Sequence, residues 1–263
     1  MSTTIYYFSA TGNSLFIAKE IAQKLGETEL VAINSLLNQR NISSNSDIVG
    51  FIFPVYFFGL PILVSDFIKR YSPKKGQYCF ALAIHGGESG NALYQIRKEC
   101  TTAKIKLSYA RDIEVCGAWI VLYKPQEPEF FDYNNELRAK VRLIANELTV
   151  RKTYIDDIRY RPFLSIIYKV GFKRLAKADK YFTVDCNCDG CGVCERICPV
   201  GNIIIDNNTP LWQHKCQHCM ACIHWCSKES IQYTRATVGK NRYRNPFISV
   251  NELITVIQVK NKK

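Results

Sequence analysis

Apolar and polar positions along the first 150 residues switch repeatedly between two rhythms. Thr3–Ser9 is a continuous apolar, β-branched and aromatic run, the pattern of a strand buried on both faces. Asn13–Leu25 follows with Leu15, Ala18, Ile21, Ala22 and Leu25 on one helical face, and Gly26 stands where a helix-ending glycine belongs. Leu30–Ile33 and Ile48–Phe53 read as the second and third strands, and Pro61–Arg70 as a helix with proline in its first turn. Tyr78–Ile84 is expected as a fourth strand, Ser89–Cys100 as a helix, Ile113–Leu122 as a fifth strand and Asn134–Val150 as a closing helix. Repeated strand-then-helix units imply a parallel sheet covered on both faces, with ligands at the carboxyl ends of its strands.

The rhythm changes after residue 150. Residues 151–182 are basic and aromatic, with Phe163–Ala176 helical in pattern, and read as a connector packed on a neighbouring domain. Near the C-terminus Ser249 and Glu252 fit a capping box, Ile248 and Leu253 its hydrophobic staple, so a short helix is expected there with only Lys260–Lys263 frayed. Four segments result: 1–150, 151–182, 183–235 and 236–263. No run is a convincing membrane span, because Pro54, Gly59 and Pro61 break the longest uncharged stretch, Ile48–Ser65. Met1–Ala10 has no positive residue before its apolar stretch, which argues against a secretory signal and for a reducing cytoplasm.

Composition sharpens the division. Hydrophobic residues make up 47% of the 263, enough for a real core and too many for a disordered tail. The formal net charge of +12 is concentrated: +6 in 151–182 and +5 in 236–263, against −1 in 183–235. Nine of the 12 cysteines fall between Cys186 and Cys226, leaving Cys79, Cys100 and Cys116 before them. A secreted disulfide scaffold spreads its cysteines through a small coreless domain, so these read as metal ligands.

Cys188, Cys191, Cys194 and Cys198 follow C-x2-C-x2-C-x3-C, with Pro199 next; Cys216, Cys219, Cys222 and Cys226 repeat the spacing, with Ser227 next. Two-residue gaps let a tight loop turn three thiolates around one iron–sulfur cube, while the fourth points across to another. Zinc is the competing occupant, but a zinc ribbon needs only two CxxC pairs and has no use for the doubled run. Over 183–235 the chain resembles bacterial two-cluster ferredoxins. The resemblance implies an α+β ferredoxin-like domain with two [4Fe–4S] clusters. One would be held by Cys188, Cys191, Cys194 and Cys226, the other by Cys216, Cys219, Cys222 and Cys198. Ile203–Asp206 and Ile231–Tyr233 would be the short strands after each motif, and Cys186 a bystander thiol. His214, His218 and His224 interleave the second motif as surface or packing residues.

Between the first strand and first helix lies Ser9-Ala10-Thr11-Gly12-Asn13-Ser14. A helix N-terminus offers free N–H groups, Gly12 permits close backbone approach, and hydroxyls add donors, which suits a phosphomonoester or an ordinary helix cap. The loop resembles the phosphate loop of flavodoxins, which bind FMN. That family implies a doubly wound five-stranded parallel sheet, order 2-1-3-4-5, with two further loops around the flavin ring. Here these are Pro54-Val55-Tyr56-Phe57-Phe58-Gly59, with aromatic faces, and His85-Gly86-Gly87-Glu88-Ser89-Gly90-Asn91, rich in glycine. His85 reads as a loop histidine in a structural hydrogen bond, or as a proton donor to the reduced ring. As a whole the chain resembles the flavodoxin–ferredoxin fusion proteins of anaerobic bacteria and archaea, whose C-terminal segment Arg242-Tyr243-Arg244-Asn245-Pro246 also resembles.

The expectation is an electron-transfer flavo-iron–sulfur protein, with no catalytic side-chain constellation and no second nucleotide motif. A flavin-dependent reductase of a small molecule, fed through the clusters, is the second reading. A zinc-bearing nucleic-acid module ranks last, since it would interleave basic residues with the cysteines. The basic flanks then compensate anionic cofactors and offer a surface to an acidic redox partner. A homodimer, with clusters of one chain near the flavin of another, also fits the sequence.

Overall fold

The computed structural model describes residues 1–122, 124, 135–156, 158–175 and 177–258. Asn134 and Ala176, the ends of two expected helices, and Lys260–Lys263, expected to be frayed, lie outside them. Contacts divide the chain into two compact units. The first is Met1–Ser9, Asn13–Val115 and Asp132–Tyr168; the second is Ala10–Gly12, Cys116–Phe131 and Lys169–Lys263.

The first unit is built on strands β1 (Thr3–Tyr7), β2 (Thr28–Ala32), β3 (Ile48–Pro54), β4 (Tyr78–His85), β5 (Leu107–Glu114) and β6 (Tyr154–Ile155). They form one sheet in the order β2-β1-β3-β4-β5-β6, parallel throughout. Helices α1 (Asn13–Leu25), α2 (Ile62–Arg70), α3 (Ala92–Thr102) and α4 (Glu136–Thr149) connect the strands. Burial follows: β4 is buried at every position, and β3 at all but Pro54. This is the doubly wound α/β architecture, and the strand order puts loop sites at the carboxyl ends of β1, β3 and β4.

Two strand expectations need correction. The sheet has six strands rather than five, because Tyr154 and Ile155 pair with Tyr109 and Ala110 at the edge, inside the segment read as a helical connector. A two-residue strand is too short to show a period. The fifth strand is Leu107–Glu114, not Ile113–Leu122. Ser108, Arg111 and Asp112 are only partly buried, so the strand lacks the apolar run of its neighbours, and the apolar residues just after it misled the reading. One of these, Ile120, belongs to the core of the second unit.

Gly50 and Phe80 are partners across β3 and β4. A Cβ on Gly50 would stand 2.1 Å from Phe80 Cζ, and the fully buried ring has no room to retreat. Gly50→Ala is expected to cost about 3 kcal/mol of unfolding free energy by overpacking. Denaturant unfolding checks this; a loss below about 1 kcal/mol would contradict it.

The second unit is made of small pieces. Strands β7 (Phe182–Val184) and β10 (Ile231–Tyr233) form one antiparallel pair, β8 (Ile203–Asp206) and β9 (Thr209–Trp212) another. Helices α6 (Val193–Ile197) and α7 (Ala221–His224) each rise from within a cysteine motif. Helix α8 (Val250–Gln258) opens with the expected box: Ser249 N–H donates to Glu252 Oε2 at 2.8 Å and Glu252 N–H to Ser249 Oγ at 3.4 Å. Between α4 and α6 runs α5 (Pro162–Leu175). Among the described residues no helix is long and apolar enough to cross a membrane.

Candidate functional site

The loop after β3 closes on itself. Tyr56 and Gly59 exchange backbone hydrogen bonds of 3.0 and 2.9 Å, leaving Phe57 and Phe58 as the turn, at φ +50° and +61°. Bulky aromatic residues avoid this left-handed region, so the turn stores strain that neighbouring contacts must offset. Those contacts are present. Asn91 N–H donates to Phe58 O at 2.7 Å, and Tyr168 Oη donates to Leu60 O at 2.6 Å.

The loop after β4 carries Gly87 at φ +146° and Gly90 at φ +56°, conformations open to glycine. His85 is nearly buried. Its Nδ1 accepts from Gly87 N–H at 3.3 Å, and its Nε2 faces Asp112 Oδ2 at 3.5 Å. The hydrogen bond from His85 is the main reason the Asp112 carboxyl falls to about 2, with Ser89 adding a second. Both ring nitrogens are thus engaged by protein, which favours the structural role for His85. Asn91 is fully buried and its side-chain amide clamps the Arg161 backbone, Nδ2 donating to Arg161 O and Oδ1 accepting from Arg161 N–H, each at 2.8 Å. Its side chain is spent on that clamp and its backbone N–H on Phe58 O, so Asn91 ties the two loops together. Arg161, paired with Glu88, and Tyr168 support these loops from far along the chain, and no local pattern announces them.

In the loop after β1, Ser9 Oγ is buried without a hydrogen-bond partner among the described residues. Asn13 and Ser14 are buried at the start of α1. Ala10–Gly12 group with the second unit: Trp225 Nε1 donates to Ala10 O at 2.9 Å, and Asn245 N–H to Thr11 O at 2.8 Å. Gly12 at φ +100° would place a Cβ 2.8 Å from Asn245 Cβ, so no larger residue fits.

In the second unit the two motifs repeat in backbone as well as in spacing. Gly190 and Gly192 take φ +69° and +71°; His218 and Met220, at the same places in the second motif, take +55° and +59°. Successive left-handed and right-handed residues turn N–H groups inward into a cradle for anions. His218 N–H donates to Cys216 Sγ at 3.2 Å and Asn202 N–H to Cys198 Sγ at 3.2 Å. A non-glycine residue accepts this strain only where the turn is over-determined.

Two small cavities, partly open to solvent, lie against these turns. Cys188, Cys191, Cys194 and Cys226 line the first; Cys198, Cys216, Cys219 and Cys222 line the second. Each cavity therefore draws three cysteines from one motif and the fourth from the other. Among the described residues no three His, Cys, Asp or Glu converge as a single ion would require. Burial pushes the Cys194 and Cys216 thiols up to about 12 and those of Cys219 and Cys222 higher still. Four thiolates in such a place need compensating positive charge, which metal ions supply. Cys186 is exposed and lines neither cavity. The interleaved histidines have protein partners: His214 Nδ1 lies 2.8 Å from the buried Asp179, His224 Nε2 2.7 Å from Ala118 O, and His218 packs edge-on to Tyr233.

Residues 4–101 match the flavodoxin domain family. The N-terminal part of this chain is flavodoxin-like. No curated protein shows a significant match to the sequence. Among solved structures, an archaeal flavodoxin is 9% identical with a TM-score of 0.37, covering 57% of this chain and 98% of its own. An azoreductase from Bacillus anthracis str. Sterne is 10% identical, TM-score 0.37, covering 57% and 99%. The flavodoxin of Megasphaera elsdenii is 16% identical, TM-score 0.29, covering 42% and 84%.

Proposed function

We propose that this chain is an electron-transfer protein that binds FMN on its flavodoxin-like part and two [4Fe–4S] clusters in its cysteine-rich unit. It would pass electrons between an external redox partner, the clusters and the flavin. The observation that carries the reading is the crossed grouping of eight cysteines into two four-cysteine cavities. Such crossing is the pattern of two-cluster ferredoxins, and zinc pairs have no need of it.

The first cluster would be held by Cys188, Cys191, Cys194 and Cys226, the second by Cys198, Cys216, Cys219 and Cys222. The buried, unpartnered Ser9 Oγ supports a phosphate at Ser9–Ser14, since an orphan hydroxyl is costly until an acceptor arrives. The strained Phe57–Phe58 turn and the glycines at 86, 87 and 90 would flank the ring. A flavin exchanges one or two electrons and a cluster one, so joining them lets two-electron and one-electron partners communicate. The chain's own residues hold the groups dry and fix their places; no side chain is assigned a chemical step.

The test is the iron, labile sulfide and flavin content of protein purified without oxygen. About eight irons, eight sulfides and one FMN per chain are expected. Zinc without sulfide would refute the reading. For the phosphate loop, Ser9→Ala should weaken FMN binding about tenfold and leave riboflavin binding unchanged, while stabilising the flavin-free protein by about 1 kcal/mol. Equal losses for FMN and riboflavin would remove Ser9 from the phosphate site.

Reduction of a small molecule at the flavin is the second reading, and a polar cavity lined by Ser89, Tyr94, Asp112, Asp156, Arg159 and Arg161 beside the ring loop favours it. Saturable turnover of one compound after reducing the clusters would establish it. An acidic redox protein is the proposed partner of the basic segments, and its electron-transfer rate should fall as salt rises.

A further inference from the structure

The segment Arg242–Pro246 wraps the end of the second cysteine motif. Arg244 Nε donates to His224 O at 2.7 Å, its Nη2 to Cys226 O at 3.5 Å, and its guanidinium lies 5.7 Å over the Trp225 ring. Tyr243, almost fully buried, donates its N–H to His224 Nδ1 at 3.2 Å. These contacts fix the turn that presents Cys226.

Arg242 is different. Its Nη2 donates to Glu229 O at 3.3 Å and Ile231 O at 3.2 Å, but Nε and Nη1 are buried with no hydrogen-bond partner among the described residues. Burial opposes its charge, while Glu229 and the sulfurs of Cys226 and Cys222 favour it. Ile231, whose carbonyl Arg242 holds, lines the first cavity together with Cys226, so this guanidinium stands beside that cavity. A partly buried cation with unspent donors is expensive unless negative charge stands beside it. Two carbonyl groups do not neutralise it. Thiolates carrying clusters would.

We propose that Arg242 is the fixed positive charge that raises the reduction potential of the cluster in the first cavity. This rests on the iron–sulfur reading above. Each cluster gains one electron and no proton on reduction, so its charge becomes more negative by one. A neighbouring cation that cannot lose its proton therefore favours the reduced form over the oxidised. Tight hydrogen bonding by Arg244 to the same turn serves position; the charge of Arg242 serves potential.

The experiment is a redox titration of the clusters, followed by electron paramagnetic resonance, in wild type, Arg242→Gln and Arg242→Lys, each with iron and sulfide counted. Wild-type protein without iron and sulfide would refute the iron–sulfur reading itself. With a loaded wild type, Arg242→Gln should show a ratio of reduced to oxidised first-cavity cluster about tenfold lower at a fixed potential. For a one-electron couple that is about 59 mV. Arg242→Lys, which keeps the charge and loses the two-carbonyl geometry, should remain near wild type. A fully loaded Arg242→Gln with an unchanged potential for that cluster overturns the proposal. If the glutamine variant fails to load, the lysine variant decides: a potential near wild type supports the proposal, and a tenfold fall overturns it.

Discussion

Replacing Cys226 by alanine is expected to remove iron from the same cluster as replacing Cys194, although the two residues belong to different motifs. Cys226 shares a cavity with Cys188, Cys191 and Cys194, and Cys198 shares one with Cys216, Cys219 and Cys222. Each single alanine variant should therefore retain about four of eight irons. The double variant Cys194→Ala/Cys226→Ala should lose no more than either single one, because both act on one unit. Cys198→Ala/Cys226→Ala, by contrast, should lose nearly all iron. Iron and sulfide analysis of the five proteins decides it. If Cys194→Ala/Cys226→Ala loses nearly all iron instead, each motif holds its own metal and the crossed assignment is wrong.

The second large effect concerns the two ring loops. Gly90 has φ +56°, and a Cβ there would lie 2.5 Å from Phe58 O and 2.8 Å from Phe58 Cα. Backbone, not a flexible side-chain end, opposes it. Alanine in the left-handed region costs roughly 1–2 kcal/mol by itself, and forcing the loops apart threatens the 2.7 Å bond from Asn91 N–H to Phe58 O. Gly90→Ala should raise the dissociation constant for FMN about 100-fold, read by fluorescence quenching on titration of flavin-free protein. Iron content should stay at the wild-type level, since the cysteines stand in the other unit. Binding within about threefold of wild type would mean that the 54–59 and 85–91 loops do not form the ring site.

Where side-chain burial dictates backbone, the fold was legible in the residues. Apolar runs such as Ile48–Phe53 and Tyr78–Ile84 mark strands buried on both faces, and the periodic Leu15, Ala18 and Ile21 mark a buried helix face. Legibility failed at the sheet's open side. There β5 carries Ser108, Arg111 and Asp112, and β6 is two residues long, so neither shows the expected rhythm. The repeated cysteine spacing was legible at once, while the division of the eight between two cavities was expected only from the resemblance to two-cluster ferredoxins. Supporting contacts were not. The Asn91–Arg161 clamp joins residues 70 apart, and nothing near Arg242 in sequence shows that two of its donors end buried with no partner among the described residues. The left-handed His218 and Met220 emerge only on comparison with Gly190 and Gly192, since neither residue type advertises that conformation.

The central claim is that flavin and clusters share electrons within one chain. A reductive titration of the loaded protein without oxygen, adding electrons in known amounts and following the visible spectrum, tests it most directly. About four electrons per chain are expected, two for the flavin and one for each cluster, with flavin and cluster absorbance bleaching in one equilibrating series. An uptake of about two electrons, confined to the flavin, would contradict it.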